Sequence, residues 1–177
     1  MKKLLILLLT IFLSAGSLSA QSVDIKKLLQ QAKQGNAEAQ VNLALRYDNG
    51  QGVPQDDVQA AKWYRLAADQ GNADAQLNLG VIYEKGTGVP QDYAQAVKWY
   101  RLAADQGNAN AQSNLGVMYA KSQGVPRDLV LAHMWSNLAA AQGDEDGESN
   151  RDIIAKLMFP SQIERAQELA RNWKPKK

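Results

Sequence analysis

Residues 71–107 read GNADAQLNLGVIYEKGTGVPQDYAQAVKWYRLAADQG, and most of this segment recurs 36 residues earlier and 36 residues later. Gln-Gly pairs mark the period, because they begin at Gln34, Gln70, Gln106 and Gln142. Gly-Val-Pro-x-Asp recurs in the same register, at 52–56, 88–92 and 124–128. A fixed period of about 20 to 50 residues is typical of a solenoid built from stacked repeats.

The first half of each repeat predicts a helix, which we call helix A. In the first copy, Ala39, Leu43 and Tyr47 are spaced i, i+4 and i+8, so they share one helical face. The residue after the leucine is small in every copy: Ala44, Gly80 and Gly116. A small side chain there favours close approach of a neighbouring helix, which offsets the ~1 kcal/mol that glycine costs inside a helix.

The turn after helix A contains a glycine in two copies. Gly50 and Gly86 are expected to end the helix in the left-handed conformation that glycine adopts without strain. Ser122 occupies this position in the third copy. We therefore expect a looser third loop.

The second half of each repeat predicts helix B. Val-Pro favours an extended approach, and Asp56 with Gln59 three residues later predicts a capping box. The expected buried stripe consists of Ala60, Trp63, Leu66 and Ala67. Tyr64 and Tyr100 flank the tryptophans and are expected to be half exposed.

These patterns predict an all-α protein: an α/α superhelical solenoid of about three 36-residue helix-turn-helix repeats, with capping helices at both ends. The expected segments are a signal peptide (1–20), an N-terminal capping helix (21–36), repeats at 37–72, 73–108 and 109–144, C-terminal capping helices (145–173) and a solvated basic tail (174–177). The last helix has two candidate starts, Pro160 as its first residue or Ser161 as its cap.

The first twenty residues have the layout of a secretory signal peptide. A basic start, Met1-Lys2-Lys3, precedes an apolar run of about ten residues, and small residues follow up to Ala20. We expect cleavage after Ala20, with cleavage after Ser19 as the alternative. An uncleaved anchor is the rival interpretation, although the run is shorter than the roughly twenty residues of a membrane span. The sequence thus predicts export, to the periplasm first and to the medium as the alternative.

Composition excludes several classes of protein. The chain has 20 Lys and Arg, 18 Asp and Glu, one His and no Cys. The absence of Cys excludes disulfides, cysteine metal sites and a lipoprotein anchor. Removing residues 1–20 removes two lysines and leaves 18 basic against 18 acidic side chains, so no basic footprint for nucleic acid is predicted.

Catalytic and metal motifs are also missing. The sequence contains no Gly-x-Ser-x-Gly, no Ser-x-x-Lys and no His-Glu-x-x-His. The acidic run at 144–148 lacks the ligand spacing of a calcium loop. We therefore expect no catalytic residues, no metal, no cofactor and no enzymatic activity.

The repeat unit resembles the Sel-one-like repeat, a branch of the tetratricopeptide superfamily. Both helix cores and the Gly-Val-Pro-x-Asp loop carry the resemblance, which covers residues 37–143. It implies a scaffold or adaptor that binds a protein or peptide in its concave groove. Two alternatives remain open: a secreted factor that contacts a host protein, and a cell-wall or β-lactam-binding enzyme, which the missing motifs disfavour.

The resemblance also implies which positions face the groove. Helix A carries an asparagine there in each copy: Asn42, Asn78 and Asn114. An amide at this position can bond the backbone of a bound peptide, although it can equally hold an interhelix contact. Gln40, Gln76 and Gln112 have the same two interpretations.

Groove positions that vary between copies are candidates for specificity. The expected set is Leu45, Val81 and Val117, together with Arg46, Ile82 and Met118. Exposed apolar residues would form a binding strip, whereas the alternative is that these side chains belong to the helix-packing core. Trp63, Trp99 and Trp135 are predicted to be core, and the single histidine, His133, is interpreted as a packing residue.

Overall fold

The computed structural model describes residues 24–176. The predicted signal peptide (1–20), residues 21–23 of the predicted capping helix and Lys177 lie outside the described residues. Within 24–176 the regular structure is entirely helical. The helices are α1 (24–33), α2 (Ala37–Asn49), α3 (Asp57–Asp69), α4 (Ala73–Lys85), α5 (Tyr93–Asp105), α6 (Ala109–Lys121), α7 (Leu129–Ala140), α8 (Glu145–Ala155) and α9 (Pro160–Asn172).

The helices stack in the order of the repeats. α2 packs against α3, α4 against α5 and α6 against α7, so each predicted A and B helix form a hairpin. α3 then packs against α4, and α5 against α6, which joins each hairpin to the next. The structure therefore confirms the predicted α-solenoid, in which each repeat contacts its neighbours.

Side-chain caps start the helices at the expected residues. The A helices begin after Asn36, Asn72 and Asn108, each of whose side chains accepts a hydrogen bond from the N–H three residues later at 2.8–3.0 Å. Asp56 caps α3 in the same way at 2.9 Å. A capping box also requires the N–H of Asp56 to donate to the Gln59 side chain. This N–H instead donates to the Tyr47 carbonyl at 3.0 Å.

The third loop keeps the geometry of the first two, so the prediction of a looser loop was wrong. Ser122 adopts φ 58° and ψ 37°, close to the angles of Gly50 and Gly86. Its N–H donates to the Met118 carbonyl. The N–H groups of Gly50 and Gly86 donate in the same way to the carbonyls four residues before them. The close packing of the repeat holds a serine in a conformation that costs an L-residue about 1–2 kcal/mol.

The small residue on helix A is explained by close helix packing. A Cβ on Gly80 would lie 2.5 Å from the ring of Tyr100 on α5. On Gly116 it would lie 2.5 Å from Oγ of Ser136 on α7. The B helices approach here more closely than any larger side chain would permit.

The buried stripe of helix B differs from the prediction at two positions. Trp99 and Trp135 are buried, as predicted, whereas Trp63 is half-buried and packs against the edge of the core. Leu66, however, is 48% exposed. Tyr64 and Tyr100, which were expected to be half exposed, are fully buried. The reason is that the face of helix B that packs against its neighbours consists of alanines and Tyr64. The small alanines let helix B lie close to the small residue of helix A.

The C-terminal end is more ordered than the sequence suggested. α9 begins at Pro160 and packs against α7, and the ring of Trp173 lies edge-on to Trp135 at 6.1 Å. Beyond the helix, the Lys176 ammonium is 2.7 Å from the Asp105 carboxylate, and its backbone N–H donates to the Asp105 carbonyl. The described residues 174–176 are exposed, as expected of a solvated tail, but the contacts of Lys176 with Asp105 attach the tail to α5.

The cap at Ser122 yields a first prediction. We expect Ser122→Gly to raise the free energy of unfolding by about 0.5–1 kcal/mol, because glycine adopts a positive φ without strain. The matched reverse change, Gly50→Ser, should lower it by a similar amount, because a Cβ at Gly50 would meet Gln55 only at an ordinary contact distance of 3.5 Å. Urea unfolding followed by circular dichroism measures both, and a destabilised Ser122→Gly variant would contradict the strain.

Candidate partner-binding surface

A buried ladder of glutamines underlies the surface of the A helices. In the second repeat, the Gln76 amide donates to the Ala68 carbonyl at 3.1 Å and accepts a bond from the Gln106 side chain at 2.8 Å. The same two bonds recur around Gln40 and Gln112. All three central glutamines are buried. They hold the repeats together and are not free to bind a partner, so the binding interpretation of Gln40, Gln76 and Gln112 was wrong.

The asparagines predicted to bind a partner form a row along the A helices. Asn42 is exposed, and Asn78 and Asn114 are half-buried. We call these three residues the asparagine row. Each asparagine lies two residues after a buried glutamine, which is a rotation of about 200° around the helix. The asparagines therefore lie on the side of helix A opposite the glutamines, where a partner could reach them.

Asn114 lies beside the buried Tyr100. The Tyr100 hydroxyl donates to the Glu84 carboxylate at 2.5 Å. Burial raises the pKa of Tyr100 most, the bond to Glu84 raises it further, and the Asn114 amide acts in the opposite direction. Tyr100 therefore stays protonated and packs as a neutral side chain beneath Asn114.

Three of the predicted specificity positions form a second row. Leu45 is 38% exposed, and Val81 and Val117 are half-buried. We call them the apolar row. Each lies three residues after a member of the asparagine row, so the two rows share one helical face. The structure thus brings six of the predicted residues onto a common surface.

The remaining predicted positions are distributed differently. Ile82 is 6% exposed and Met118 is 1% exposed, so both belong to the helix-packing core and the expectation that they face a partner was wrong. They follow the half-buried Val81 and Val117 by one residue, and this step of about 100° turns their side chains towards helix B. Arg46 is half-buried and its guanidinium lies 3.5 Å from the Asp24 carboxylate.

A cleft marks the N-terminal end of the two rows. Its volume is about 420 Å³, and its lining is Asp24, Leu28, Asn42, Leu45, Arg46 and Gln51. Asn42, Leu45 and Arg46 were predicted from the sequence, whereas the α1 residues Asp24 and Leu28 were missed. The sequence predicted a capping helix here, but a helical pattern does not reveal which of its side chains face α2.

Aromatic side chains are used for packing between repeats. The Arg65 guanidinium donates to the Tyr83 hydroxyl of the next repeat and lies 5.8 Å from the centre of the Trp99 ring. Arg101 makes the equivalent bond to Tyr119. These contacts tie helix B of one repeat to helix A of the next.

His133 is buried on α7, as its interpretation as a packing residue requires. It occupies the position of Ala61 and Val97 in the other repeats. Burial lowers the pKa of His133, the nearby Arg151 lowers it further, and Asp152 opposes both. Its Nδ1 atom has no hydrogen-bond partner among the residues that the structure describes.

Residues 24–176 contain no group of three His, Asp or Glu side chains placed to hold a metal ion. In the same range, no helix combines the length and the apolar character needed to cross a membrane.

The fold and its surface define an α-solenoid of helix-turn-helix repeats whose A helices carry a partly exposed face of asparagine and aliphatic side chains. The model of the Sel1 repeat matches residues 37–72, 73–108 and 109–144. The chain therefore belongs to the Sel1 repeat family, which confirms the resemblance seen in the sequence.

Two solved structures are similar over most of this chain. A Sel1 repeat protein from Oxalobacter formigenes is 41% identical with a TM-score of 0.67, over 73% of this chain and 97% of that one. A protective antigen with an SLR fold, present in uropathogenic Escherichia coli strains, is 30% identical with a TM-score of 0.65 over 84% of this chain. This chain spans 40% of the length of that antigen. A search of curated protein sequences finds no significant match.

Sel1 repeat proteins are typically scaffolds for protein interactions, and the fold is generally non-enzymatic. That general role agrees with a surface that presents amides and aliphatic side chains on a rigid frame.

The glutamine ladder yields a second prediction. Gln76→Ala should lower the free energy of unfolding by about 1–3 kcal/mol, because it leaves buried polar groups without partners. Gln106→Ala should cost about 0.5–1.5 kcal/mol. Urea unfolding of both single variants and the double variant should give a coupling energy above about 0.5 kcal/mol. The exposed Gln167→Ala is the matched control, and strictly additive losses would contradict the ladder.

His133 yields a third prediction. The unfolded chain takes up a proton near pH 6.5, whereas the folded chain keeps His133 neutral to a lower pH. Stability should therefore fall as the pH drops below about 6.5, by at most ~1.4 kcal/mol per pH unit. His133→Val, which restores the aliphatic residue of the second repeat, should lose less stability between about pH 7 and pH 5.5. Parallel urea titrations test this, and identical pH profiles would count against it.

Proposed function

We propose that this protein is an exported, non-enzymatic adaptor that holds an extended segment of a protein partner against the asparagine row and the apolar row. The observation that carries the proposal is the partial exposure of aliphatic side chains at the same position in consecutive repeats, beside amides at a fixed offset. The A helices would form the concave face of the solenoid and Arg46 would lie at its N-terminal end.

The chemistry of the two rows suits an extended chain. An asparagine amide both donates and accepts hydrogen bonds, so it can pair with the N–H and C=O groups of a peptide backbone. Aliphatic side chains beside it would bury apolar residues of the partner. The glutamine ladder beneath fixes the spacing between repeats, so little ordering of the protein would oppose binding.

The proposed location is the periplasm. The support is the signal-peptide layout of residues 1–20, with Ala20 before the expected cleavage site. Cleavage would leave a mature chain that is not inserted in the membrane.

A secreted factor that contacts a host protein is the second candidate. The observation that favours it is the similarity to the protein described as a protective antigen present in uropathogenic Escherichia coli strains. Both candidates use the same surface and differ in where the partner is found.

Affinity capture with crosslinking tests the proposal. Mature Gln21–Lys177 is compared with a triple variant, Asn42→Ala, Asn78→Ala and Asn114→Ala, in envelope extract and in culture medium with host proteins. Losing three amide pairs should reduce recovery of the partner roughly tenfold or more. The matched control changes three exposed amides outside the row to alanine: Gln55, Gln167 and Asn172.

The fraction that supplies the partner separates the two candidates. A partner from envelope extract supports the adaptor, and a host protein supports the secreted factor. If the triple variant and the control retain the same partner equally, the asparagine row is not the site. If wild type captures nothing in either fraction, the adaptor proposal fails.

A further inference from the structure

α8 follows the third repeat in the position of a fourth helix A. Asp144 lies 36 residues after the Asn108 cap, and its side chain accepts a hydrogen bond from the N–H of Gly147. α8 packs against α6 and α7. Ile154 is buried, as is Met118 at the equivalent position of α6. α8 thus caps the layer of A helices at its C-terminal end.

α8 nevertheless lacks the bonds that join each earlier repeat to the next. The glutamine of the ladder is replaced by Glu148, which is exposed and lies 3.5 Å from the Arg151 guanidinium. The arginine and the tyrosine that tie helix B to the next helix A are replaced by Asn137 and Ala155. α8 is therefore attached to the third repeat without either of the links that hold the solenoid together.

Little buried surface holds α8 in place. Its buried residues are Gly147 and Ile154, whereas α6 buries seven residues. Its hydrogen bond to α6 joins the Asn150 amide to Ser113 Oγ at 3.3 Å. An element with few buried apolar contacts opens at a lower free energy than the rest of the protein. We therefore expect α8 to open before the repeats unfold.

The surface beneath α8 contains polar residues where the earlier repeats are aliphatic. Ser113 and His133 are buried there, and the first two repeats have Val, Leu or Ala at these positions. Within the described residues, His133 Nδ1 has no hydrogen-bond partner. Burying a polar group without a partner costs free energy, and the cost is recovered when water reaches the group. Exposure of this surface therefore costs less than exposure of an apolar interface.

His133 lies at the contact between α7 and α8. Its counterparts Ala61 and Val97 belong to the same buried clusters as helix A of the following repeat. For His133 the following helix A is α8, which supplies the two charged groups that act on its pKa, Arg151 and Asp152. The Asp152 carboxylate is already paired with Arg151 at 2.7 Å.

The other charged residues of the helices packed against α7 are exposed. They are Lys121 on α6, Glu145, Asp146 and Glu148 on α8, and Glu164, Arg165, Glu168 and Arg171 on α9. A positive charge on His133 therefore has to be accommodated by the paired side chains of α8.

A proton on His133 favours an open position of α8. In the closed structure, burial lowers the pKa of His133 most, Arg151 lowers it further, and Asp152 opposes both. Opening gives the imidazole access to water, where it takes up a proton near pH 6.5. The open state binds this proton more tightly, so it is stabilised relative to the closed state as the pH falls.

We propose that α8 is a hinged cap that swings away from α6 and α7 when His133 is protonated, while the three repeats and α9 stay folded. α9 is fixed independently, since Ala166 and Ala170 are buried and Lys176 pairs with Asp105. Exposed turns at 141–143 and 156–157 flank α8 and absorb the movement. Mild acid then leaves α6 as the last docked A helix. The movement needs no partner, so it goes beyond the proposed function.

Hydrogen exchange read by mass spectrometry tests the opening of α8. Mature Gln21–Lys177 is compared with His133→Val and His133→Ala, which restore the residues of the second and first repeats. Protection factors are measured at about pH 7.5 and about pH 5.5, and each is corrected for the intrinsic exchange rate. His133 is the single histidine of the chain, so no other histidine titrates in this range. Circular dichroism checks that each variant is folded at both pH values.

We expect the amides of α8 to be at least roughly tenfold less protected than those of α6 at both pH values. In the wild type, acidification should lower the protection of α8 by up to a further factor of about ten. Both variants should lack this second loss, because neither has an imidazole to protonate. The protection of α9 should stay above that of α8 throughout.

Three outcomes would overturn the proposal. Equal protection of α8 and α6 at both pH values means that α8 opens only when the whole solenoid unfolds. An equal loss in the wild type and in both variants means that His133 is not the trigger. A joint loss of α8 and α9 means that the C-terminal end opens as one unit and α8 is not hinged.

Discussion

The solenoid depends on the glutamine ladder, a set of hydrogen bonds that repeats every 36 residues. One glutamine of helix A joins the end of the preceding helix B to the end of its own helix B, as Gln76 does between Ala68 and Gln106. An unmade bond inside a protein costs more than a made bond contributes. A slip of one residue between repeats would leave the glutamine and both of its partners without their hydrogen bonds. The glutamine ladder therefore fixes how each repeat packs on the next.

Regular stacking is what turns separate side chains into a surface. Because each repeat has the same relation to its neighbour, residues 36 apart lie in rows, and the asparagine and apolar rows follow without further structure. The close contact of Gly80 with Tyr100 and the bond of Arg65 to Tyr83 secure the same spacing from other sides. This network stabilises a chain that has no cysteine to form a disulfide.

Periodicity predicted which residues recur, and was less successful in predicting which of them are buried. Leu66 is the more apolar residue, yet it is exposed, while Tyr64 is buried beneath helix A. The alanines of helix B explain the difference, because they let two helices approach and enclose the tyrosine between them. In the same way Ile82 and Met118 belong to the core, since one residue along a helix turns a side chain by about 100°.

The sequence by itself determined the repeat, its two helices, their asparagine and aspartate caps and the family, because each depends on local patterns in a fixed register. Tertiary structure alone decided the role of the glutamines, the docking of residues 173–176 on α5 and α7, and the orientation of α8. These depend on which surfaces meet, and contacts such as Lys176 with Asp105 join residues far apart in the chain. A local pattern contains no information about such a meeting, so helix packing had to supply it.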